Sequence, residues 1–514
     1  AVIRELRDAG YGYHYPIVYN QDVAKVWALR KAGLGVLSNL PGDAKPVAVI
    51  EDTAVNPKVL PEYMNDFRQM LEQLNLECVF YAHIATGELH LRPVLNLKDP
   101  KDVERFHTVA LETAKLVKKY RGSLSGEHGD GRLRGEFIPM MIGDHNYALL
   151  ESIKQTWDPQ HIFNPGKITA TPRMNSSLRF DSALKVEEPE TIFDFSGTQG
   201  LLRAAEQCNG SADCRKSAVI GGTMCPSYMA TLDENATTRA RANILREFLT
   251  HSGKKNRFDH KEIYQVMDLC LSCKGCKSEC PSNVDMARYK AEFLQHWHDA
   301  NGIPLRTRII ANISKLNKLG MLAPSVFNFF VTNSFTSGVM KKTLGFAPKR
   351  SIPALYKMTL RSWLKRQGYT SHNTSKGKVY LFADEFTDFN DVEIGIKAIK
   401  ALNRLGYAVE IPDHVESGRA YLSKGMVRKA QALAKKNISK LKDIVSEQTP
   451  LVGIEPSAIL SFRDEYPDLV GNELKAGALN IAPHCLMFDE FIMREVQKGN
   501  ITPAQFTEAK QQVR

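Results

Sequence analysis

The segment CLSCKGCKSECP at residues 270–281 has the cysteine spacing of a bacterial ferredoxin cluster loop. Its cysteines are Cys270, Cys273, Cys276 and Cys280. Three thiolates at i, i+3 and i+6 in a tight loop can each reach a different iron of one cubane. The spacing therefore predicts an iron–sulfur centre and one-electron transfer.

A second, incomplete segment lies upstream and contains Cys208, Cys214 and Cys225, the last followed by Pro226. Ser211 stands where another cysteine is usual. The two segments together predict two clusters, one of them irregular. Zinc also favours Cys-x2-Cys spacing, and disulfides are a weaker alternative, but the order of the seven cysteines favours iron and sulfide.

The cysteine before proline ligates the other cluster in two-cluster ferredoxins. We therefore assign one complete 4Fe-4S site to Cys225, Cys270, Cys273 and Cys276. The second site receives Cys208, Cys214 and Cys280. Three thiolates predict a 3Fe-4S cluster, or a 4Fe-4S cluster with one labile or non-cysteine corner, for which Ser211 is a candidate.

The composition is that of an ordinary water-soluble chain, with 514 residues, 43% hydrophobic and 24% charged. No window approaches the ~20 apolar residues of a membrane span, and the start has no secretory pattern, so we expect a cytoplasmic location.

Cys78 and Cys485 are expected to be buried structural thiols. The opening AVIRELRDAG, without methionine, predicts a fragment of a longer chain.

The net charge of +11 is concentrated between residues 300 and 383, which contain fourteen Lys and Arg residues and no Asp or Glu. Apolar residues interleave with these charges, as in amphipathic helices. This pattern fits peripheral contact with the inner face of a membrane. A solvated scaffold whose charges offset anionic clusters fits equally well. Nucleic acid is disfavoured because no groove-reading motif is present.

The first 175 residues predict an α+β domain. Residues 61–76 have the periodicity of an amphipathic helix. The segment that follows alternates at period two around Thr86-Gly87, which predicts a β-hairpin with a two-residue turn. In that register His83 would face His90 at ~5 Å, close enough to share a metal. Tyr81 would face Arg92, which shares the histidines' face.

A glycine-rich loop, RGSLSGEHGDGRLR at 121–134, follows a predicted helix at 102–120 and contains Glu127 and His128. Its glycines permit close approach of a cofactor. A carboxylate can complete a metal site, and an imidazole can accept a proton near neutral pH. The alternative is a plain glycine turn with a solvated Glu-His pair.

Four motifs in order now carry a family resemblance: WALRKAG (27–33), HIATGELHLRP (83–93), SGEHGDGRLR (125–134) and IFNPGKI (162–168). They resemble the C-terminal half of FAD-linked D-2-hydroxyacid dehydrogenases of the vanillyl-alcohol oxidase type. With ferredoxin loops behind them, the order is similar to that of the large fused bacterial D-2-hydroxyglutarate or D-lactate dehydrogenases. The resemblance covers nearly the whole chain.

The resemblance implies particular roles. A divalent metal, commonly zinc, would be bound by His83, His90 and Glu127, and His128 would be the general base. Arg30 would pair with a substrate carboxylate. The other implied site residues are Arg92, where hydroxyglutarate dehydrogenases often carry Asn, and the flavin-side residues Asn164 and Lys167. Hydride would pass to FAD, and electrons would leave through the clusters to a quinone or carrier protein.

Two departures from the family pattern stand out. The glycine-rich loops of the flavin-binding lobe are absent, so we expect weak or no FAD binding by this chain alone. From residue 376 the pattern predicts an α/β unit with a parallel sheet and helices near 391–405 and 421–445. This unit resembles the cysteine-rich domain of heterodisulfide-reductase-like subunits, yet Glu416-Ser417-Gly418 and Ala458 replace its cysteines. We therefore expect a degenerate, structural domain.

The sequence thus predicts an α+β substrate (cap) domain, an α-helical ferredoxin-type iron–sulfur domain and an α/β C-terminal domain. The predicted parts are a substrate and metal domain, a linker, a two-cluster domain, a basic helical segment and the α/β domain, at 1–175, 176–200, 201–300, 301–375 and 376–514. An electron-transfer protein without its own catalysis is the alternative function. A thiol-disulfide enzyme is disfavoured by the missing cysteines.

Overall fold

The computed structural model describes residues 1–367 and 376–507. Its first part combines helices with an antiparallel sheet, as predicted. The strands are β1 (Lys45–Pro46), β2 (Ile50–Ala54), β3 (Cys78–His83) and β4 (Glu88–Leu95). The helices are α1 (Val2–Asp8), α2 (Gln21–Ser38), α3 (Leu60–Gln73), α4 (Pro100–Lys119), α5 (Ile138–Ile142) and α6 (Asp144–Trp157). Strand β4 pairs with each of the other three.

Helices α3 and α4 confirm the two amphipathic helices predicted near 61–76 and 102–120. Helix α3 buries Tyr63, Phe67 and Leu71, which recur every four residues along one face. These side chains share a core with Val109 of α4 and Leu91 of β4. The sheet is therefore packed on one side, which leaves its other side to carry polar side chains.

The β3–β4 hairpin is present, but its predicted turn and register are wrong. Residues 84–86 form a short 3-10 turn and Gly87 adopts φ 75°, so four residues rather than two reverse the chain. His83 consequently faces Glu88, not His90, and Tyr81 faces His90, not Arg92. Because the register differs by two residues, every side chain keeps its predicted face. The ring centroids of His83 and His90 lie 5.2 Å apart across the diagonal.

The middle of the chain is helical. The helices around the cysteine motifs are α7 (Leu201–Glu206), α8 (Pro226–Thr231), α9 (Thr238–His251), α10 (Lys261–Asp268), α11 (Gly275–Glu279) and α12 (Met286–Asn301). The basic segment contains α13 (Leu305–Ala311), α14 (Ile313–Gly320), α15 (Pro324–Thr332), α16 (Ser334–Leu344) and α17 (Leu360–Gln367). Among the described residues, every helix is too short or too polar to traverse a lipid bilayer.

The last part is an α/β domain, and its strands confirm the predicted parallel sheet. Strands β5 (Lys378–Phe382), β6 (Ala408–Glu410), β7 (Leu451–Gly453) and β8 (Cys485–Met487) lie in the order β6-β5-β7-β8 and are all parallel. The helices are α18 (Val392–Arg404), α19 (Arg419–Ser423), α20 (Val427–Leu441), α21 (Pro456–Leu460), α22 (Tyr466–Leu469), α23 (Asn472–Ile481) and α24 (Phe488–Gln497). Helix α18 confirms the helix predicted at 391–405.

The single helix predicted near 421–445 is instead two, α19 and α20. Gly425 lies between them with φ 66°, a conformation that takes the chain out of the helix. A Cβ at this position would lie 2.1 Å from Cβ of Leu294 on α12. The break therefore permits close packing of the C-terminal domain on the cluster domain, and one hydrophobic core runs through both.

Replacing Gly425 tests this packing. We expect Gly425→Ala to destabilise the protein by about 1–3 kcal/mol beyond its backbone cost, because the added methyl group has no room against Leu294. Gly471→Ala is the matched control, since Gly471 has φ 76° but open space around its Cβ position. Thermal unfolding of the full chain measures both. Equal losses in the two variants would contradict the close-packing explanation.

Candidate active site

Four acidic and histidine side chains converge on the polar face of the β3–β4 hairpin. One donor atom each from His83, Glu88, His90 and Glu127 lies within 4.8 Å of all the others. Glu127 Oε1 is 3.9 Å from His83 Nε2, and Glu88 Oε1 is 3.6 Å from His90 Nε2. The structure thus brings together the three predicted ligands and adds Glu88, whose position on the same face was readable from the period-two pattern.

The inner side of the site is buried, and its outer side is exposed to solvent. The side chains of His90 and Glu88 are 4% and 9% exposed, whereas those of His83 and Glu127 are 41% and 52% exposed. A small molecule can therefore reach the two outer groups while the two inner ones are shielded. This difference in exposure suits a metal that is bound by the two buried side chains and that a ligand can approach from solvent.

The buried pair lacks the partners that buried polar groups need. Within residues 1–367 and 376–507, one atom of each, Glu88 Oε1 and His90 Nδ1, has no hydrogen-bond partner. Burial, the hydrogen bond with Asp52 and the charge of Glu127 all raise the pKa of Glu88. Burial likewise lowers the pKa of His90. A cation at the centre of the four groups would satisfy the carboxylate and favour neutral imidazole, because metal ligands must be unprotonated.

Asp52 fixes the glycine-rich loop, and sequence reasoning missed it. It lies at an irregularity in β2 with φ 82°, and its carboxylate is fully buried. The backbone amides of Glu127 and His128 donate to it at 2.8 and 2.9 Å, and the Ser125 hydroxyl donates as well. Burial would raise the pKa of Asp52, but these hydrogen bonds lower it to about 2. No local motif signals this residue, since its role depends on a loop 75 positions away.

His128 lies on the exposed side of the site, beside the four-donor cluster of His83, Glu88, His90 and Glu127. Its Nε2 is 3.2 Å from Glu127 Oε1, and its ring stacks on His90 with centroids 5.3 Å apart. The side chain is 44% exposed. The predicted base is therefore adjacent to the predicted metal ligands and accessible to a substrate.

The two predicted arginines are placed differently. Arg30, on α2, has its Nη2 3.5 Å from His83 Nε2 and its guanidinium over the ring of Trp27. Arg92 is buried, pairs with Glu51 and donates from Nε to the Tyr81 hydroxyl at 3.4 Å. Arg30 thus borders the open side of the site, whereas the charge of Arg92 is already compensated within the sheet.

Asn164 and Lys167 lie on an exposed segment beside the glycine-rich loop. Lys167 Nζ donates to Asn164 Oδ1 at 3.1 Å, and the amide of Ile168 donates to the Gly131 carbonyl at 3.0 Å. Large apolar side chains nearby are left uncovered, with exposures of 82% for Trp157, 64% for Ile162 and 67% for Phe163. The predicted flavin-side segment therefore presents polar donors next to an apolar surface.

Four of the seven motif cysteines line one small pocket. They are Cys225, Cys270, Cys273 and Cys276, the set assigned to the complete cluster. Burial raises the pKa of Cys214, and the charges of Cys208 and Cys280 raise it further. These three remaining cysteines are therefore within electrostatic range of one another. Ser211 is exposed, and its amide donates to Asn209 Oδ1 at 3.0 Å.

The C-terminal domain holds the loop of the complete cysteine set. Arg419 Nη2 donates to the Ser272 carbonyl at 3.3 Å, and its Nη1 pairs with Glu465 at 2.7 Å. Lys274, in the same loop, pairs with Glu465 at 2.9 Å and also with Asp464. This domain therefore fixes the position of the cluster loop through charged contacts.

The positions that replace the lost cysteines are hydrogen bonded within the domain. The Ser417 hydroxyl donates to Glu385 Oε1 at 2.7 Å, and the Ala458 amide donates to Glu455 Oε2 at 2.6 Å. Cys485 is buried as expected, and burial raises the pKa of its thiol. Cys78 is only half-buried, and burial raises its pKa to about 12. Neither thiol lies in the cysteine motifs.

Comparison with protein families defines the class. Residues 4–168 match the model of the FAD linked oxidases, C-terminal domain, and residues 207–285 match a 4Fe-4S dicluster domain. The chain therefore contains a flavoenzyme C-terminal domain followed by a ferredoxin-like iron–sulfur domain. These matches confirm the resemblance drawn from the four motifs and the cysteine loops.

Individual relatives share most of the chain. It is 27% identical to the D-2-hydroxyglutarate dehydrogenase of Escherichia coli over 88% of this chain and 48% of that enzyme. The enzyme of the same name from Pseudomonas putida is 28% identical, with the same coverage. A D-lactate dehydrogenase of Archaeoglobus fulgidus is 28% identical over 25% of this chain and 28% of its own. The chain spans about half the length of the hydroxyglutarate dehydrogenases it matches.

Asp52→Asn tests the anchoring of the loop. We expect a loss of about 2 kcal/mol of folding free energy at pH 7, because a pKa of about 2 in place of 3.8 corresponds to that difference. The folded pKa is the lower one, so the stabilisation is complete above the unfolded value and is lost as pH falls towards 2. Unfolding of the full chain by urea measures the difference.

The control is Asp66→Asn, since Asp66 also accepts hydrogen bonds, from Lys119 and Tyr120, but at the surface. A smaller effect is expected there. Equal stability of Asp52→Asn and the parent at pH 7 would refute the anchoring role.

Proposed function

We propose that this chain is the substrate-binding and electron-transfer part of an FAD- and metal-dependent D-2-hydroxyacid dehydrogenase. The observation that carries the proposal is the convergence of His83, Glu88, His90 and Glu127 within one oxidase-type domain that precedes the cysteine loops. The substrate class is a D-2-hydroxyacid such as D-2-hydroxyglutarate or D-lactate, and the product is the 2-oxoacid. The names of the relatives support this class.

The four-donor cluster fits a divalent metal, and zinc suits its mixture of imidazole and carboxylate ligands. We propose His83, His90 and Glu127 as ligands, with Glu88 as a fourth donor. When bound, the metal would orient the substrate carboxylate and α-hydroxyl and lower the pKa of the hydroxyl. The Oε1 atom of Glu88 supports this assignment, since the part of the chain that the structure describes supplies no hydrogen-bond donor to it.

The remaining roles follow from the chemistry of oxidation at the α-carbon. His128 takes the hydroxyl proton, because its imidazole is exposed at the mouth beside the ligands. Arg30 binds a substrate carboxylate through its guanidinium. Arg92 orders the sheet beneath the site and holds Glu51, so we assign it a positioning role. FAD would accept hydride from the α-carbon, and Asn164 and Lys167 would lie on its side of the site.

The cysteines would carry the electrons away one at a time. We propose a 4Fe-4S cluster on the four that share a cavity, Cys225, Cys270, Cys273 and Cys276. Cys208, Cys214 and Cys280 would hold a 3Fe-4S cluster or a 4Fe-4S cluster with one non-cysteine corner. The final acceptor would be a quinone or a carrier protein. A chain that only transfers electrons is the alternative, and the metal site distinguishes the two.

Metal and ligand analysis of anaerobically purified protein tests the proposal. We expect one zinc per chain in addition to iron and sulfide. His90→Ala should lower zinc affinity by roughly tenfold or more while leaving iron content unchanged. Titration calorimetry of the zinc-loaded chain with D-2-hydroxyglutarate or D-lactate should show binding that Arg30→Ala weakens.

His107→Ala is the matched control, because His107 also pairs with a carboxylate, Glu136 at 2.8 Å, but outside the site. It should retain both zinc and ligand binding. Wild-type chain with full iron, no divalent metal and no hydroxyacid binding would favour the pure electron-transfer alternative.

We also propose that the basic helical segment contacts an anionic membrane surface. Large apolar side chains on α14–α16 and their connections are uncovered: Leu319, Leu322, Phe329, Phe330 and Phe335 are 53–83% exposed. Exposed Lys318 and Lys342 are on the same helices. Apolar side chains among cations fit lipid headgroups and acyl chains. Such a contact would bring the clusters close to a membrane-borne acceptor.

Co-sedimentation with vesicles tests this contact. Binding to phosphatidylglycerol-containing vesicles should exceed binding to pure phosphatidylcholine and fall with added salt. Phe335→Asp should weaken it by roughly tenfold or more, since it removes a side chain worth ~2 kcal/mol of apolar burial. Ile394→Asp, at a position on α18 that is also exposed (51%, against 77% for Phe335), should have no effect. Equal binding by both variants would contradict the proposed surface.

A further inference from the structure

Arg241 is a fully buried cation in the middle of the cluster domain. It lies on α9 and is 0% exposed, the largest of the completely buried side chains. Its Nε donates to the Val266 carbonyl at 2.9 Å. In residues 1–367 and 376–507, no carboxylate forms an ion pair with it, judged by contacts of 4.0 Å or less. A buried guanidinium without a counterion is strongly unfavourable.

One other nitrogen of this guanidinium lies beside a cysteine. Nη1 is 3.5 Å from Cys225 Sγ, and among the described residues the buried Nη2 has no hydrogen-bond partner. Arg241 also lines the pocket that contains Cys225 and the cysteines of the 270–276 loop. A buried cation with one unsatisfied donor therefore borders the four thiols. The group that would satisfy it must be anionic and accept hydrogen bonds there.

A second buried cation contacts the backbone of the same cysteine loop. Lys290, on α12, donates to the Cys270 carbonyl at 2.7 Å and the Asp268 carbonyl at 3.1 Å. Near the other cysteine group, Arg239, two residues from Arg241 on α9, is paired with Glu234 at 2.8 Å, and Arg179 donates to the Cys208 carbonyl at 2.8 Å. Among the described residues, neither Arg241 nor Lys290 forms an ion pair with a carboxylate, so positive charge is left uncompensated beside the cysteines of the 270–276 loop.

We infer that Arg241 is the internal counterion of the cluster on Cys225, Cys270, Cys273 and Cys276, and that it raises the reduction potential of that cluster. The inference rests on the proposed assignment of these cysteines. Thiolate-ligated clusters are anionic and gain negative charge on reduction, and hydrogen bonds to their sulfurs tune their potentials. A fixed, buried cation stabilises the reduced form more than the oxidised form. Nη2 would find its missing acceptor in a cluster sulfur.

Potentiometric titration followed by EPR tests this role on the anaerobically purified full chain. In Arg241→Gln the reduced-to-oxidised ratio of this cluster at a fixed potential should fall about tenfold, a shift of about 59 mV for one electron. Arg241→Lys keeps the charge with fewer donors and should shift less. The midpoint potential of the other cluster should not change. The signal lost in Cys270→Ser identifies which cluster is which.

Arg257→Gln is the control, because Arg257 also donates to backbone carbonyls, those of Glu187 and Leu249. It should leave both midpoints unchanged. Full iron with an unmoved midpoint in Arg241→Gln overturns the inference. If that variant loses the cluster, a midpoint in Arg241→Lys that falls by about 59 mV although the positive charge is kept overturns the counterion role instead. Wild-type chain without two EPR-active clusters would mean that the proposed function itself has failed.

Discussion

The buried carboxylate of Asp52 joins the two pieces of chain from which the candidate active site is built. The hairpin supplies His83, Glu88 and His90, while the glycine-rich loop supplies Glu127 and His128. Two amides of that loop donate to Asp52, so the loop cannot move away from the sheet without leaving a buried charge unsatisfied. The left-handed backbone at Asp52 aims the carboxylate at the loop. One residue of β2 with a left-handed backbone therefore determines where the side chains of the candidate site meet.

Two buried ionisable groups of opposite type each have one atom without a hydrogen-bond partner among the described residues. In the substrate domain this atom is Glu88 Oε1, and in the cluster domain it is Arg241 Nη2. Folded proteins rarely bury such atoms without partners. The first atom lies at the proposed metal site, and the second belongs to a residue beside the proposed cluster. The C-terminal domain holds the cysteine loop through Arg419, so a domain without the expected cysteines still has a structural role beside the iron–sulfur domain.

Periodicity and spacing predicted much of this protein, because they depend on neighbours in the chain. The helix at Leu60–Gln73, the parallel C-terminal sheet and the common face of His83 and His90 all follow from local pattern. The hairpin register was wrong because a 3-10 turn replaced a two-residue turn. The helix break at Gly425 was missed because its cause, Leu294, is more than a hundred residues away.

The sequence by itself determined which chemical groups are present and which share a face, since cysteine spacing and strand alternation are properties of short segments. Only the tertiary structure decided which distant groups meet. Asp52 reaches the glycine-rich loop, and Arg241 reaches Cys225, through packing between elements that no short pattern encodes. Burial is likewise a property of the whole fold, and it is burial that leaves Glu88 and Arg241 in need of partners of opposite charge.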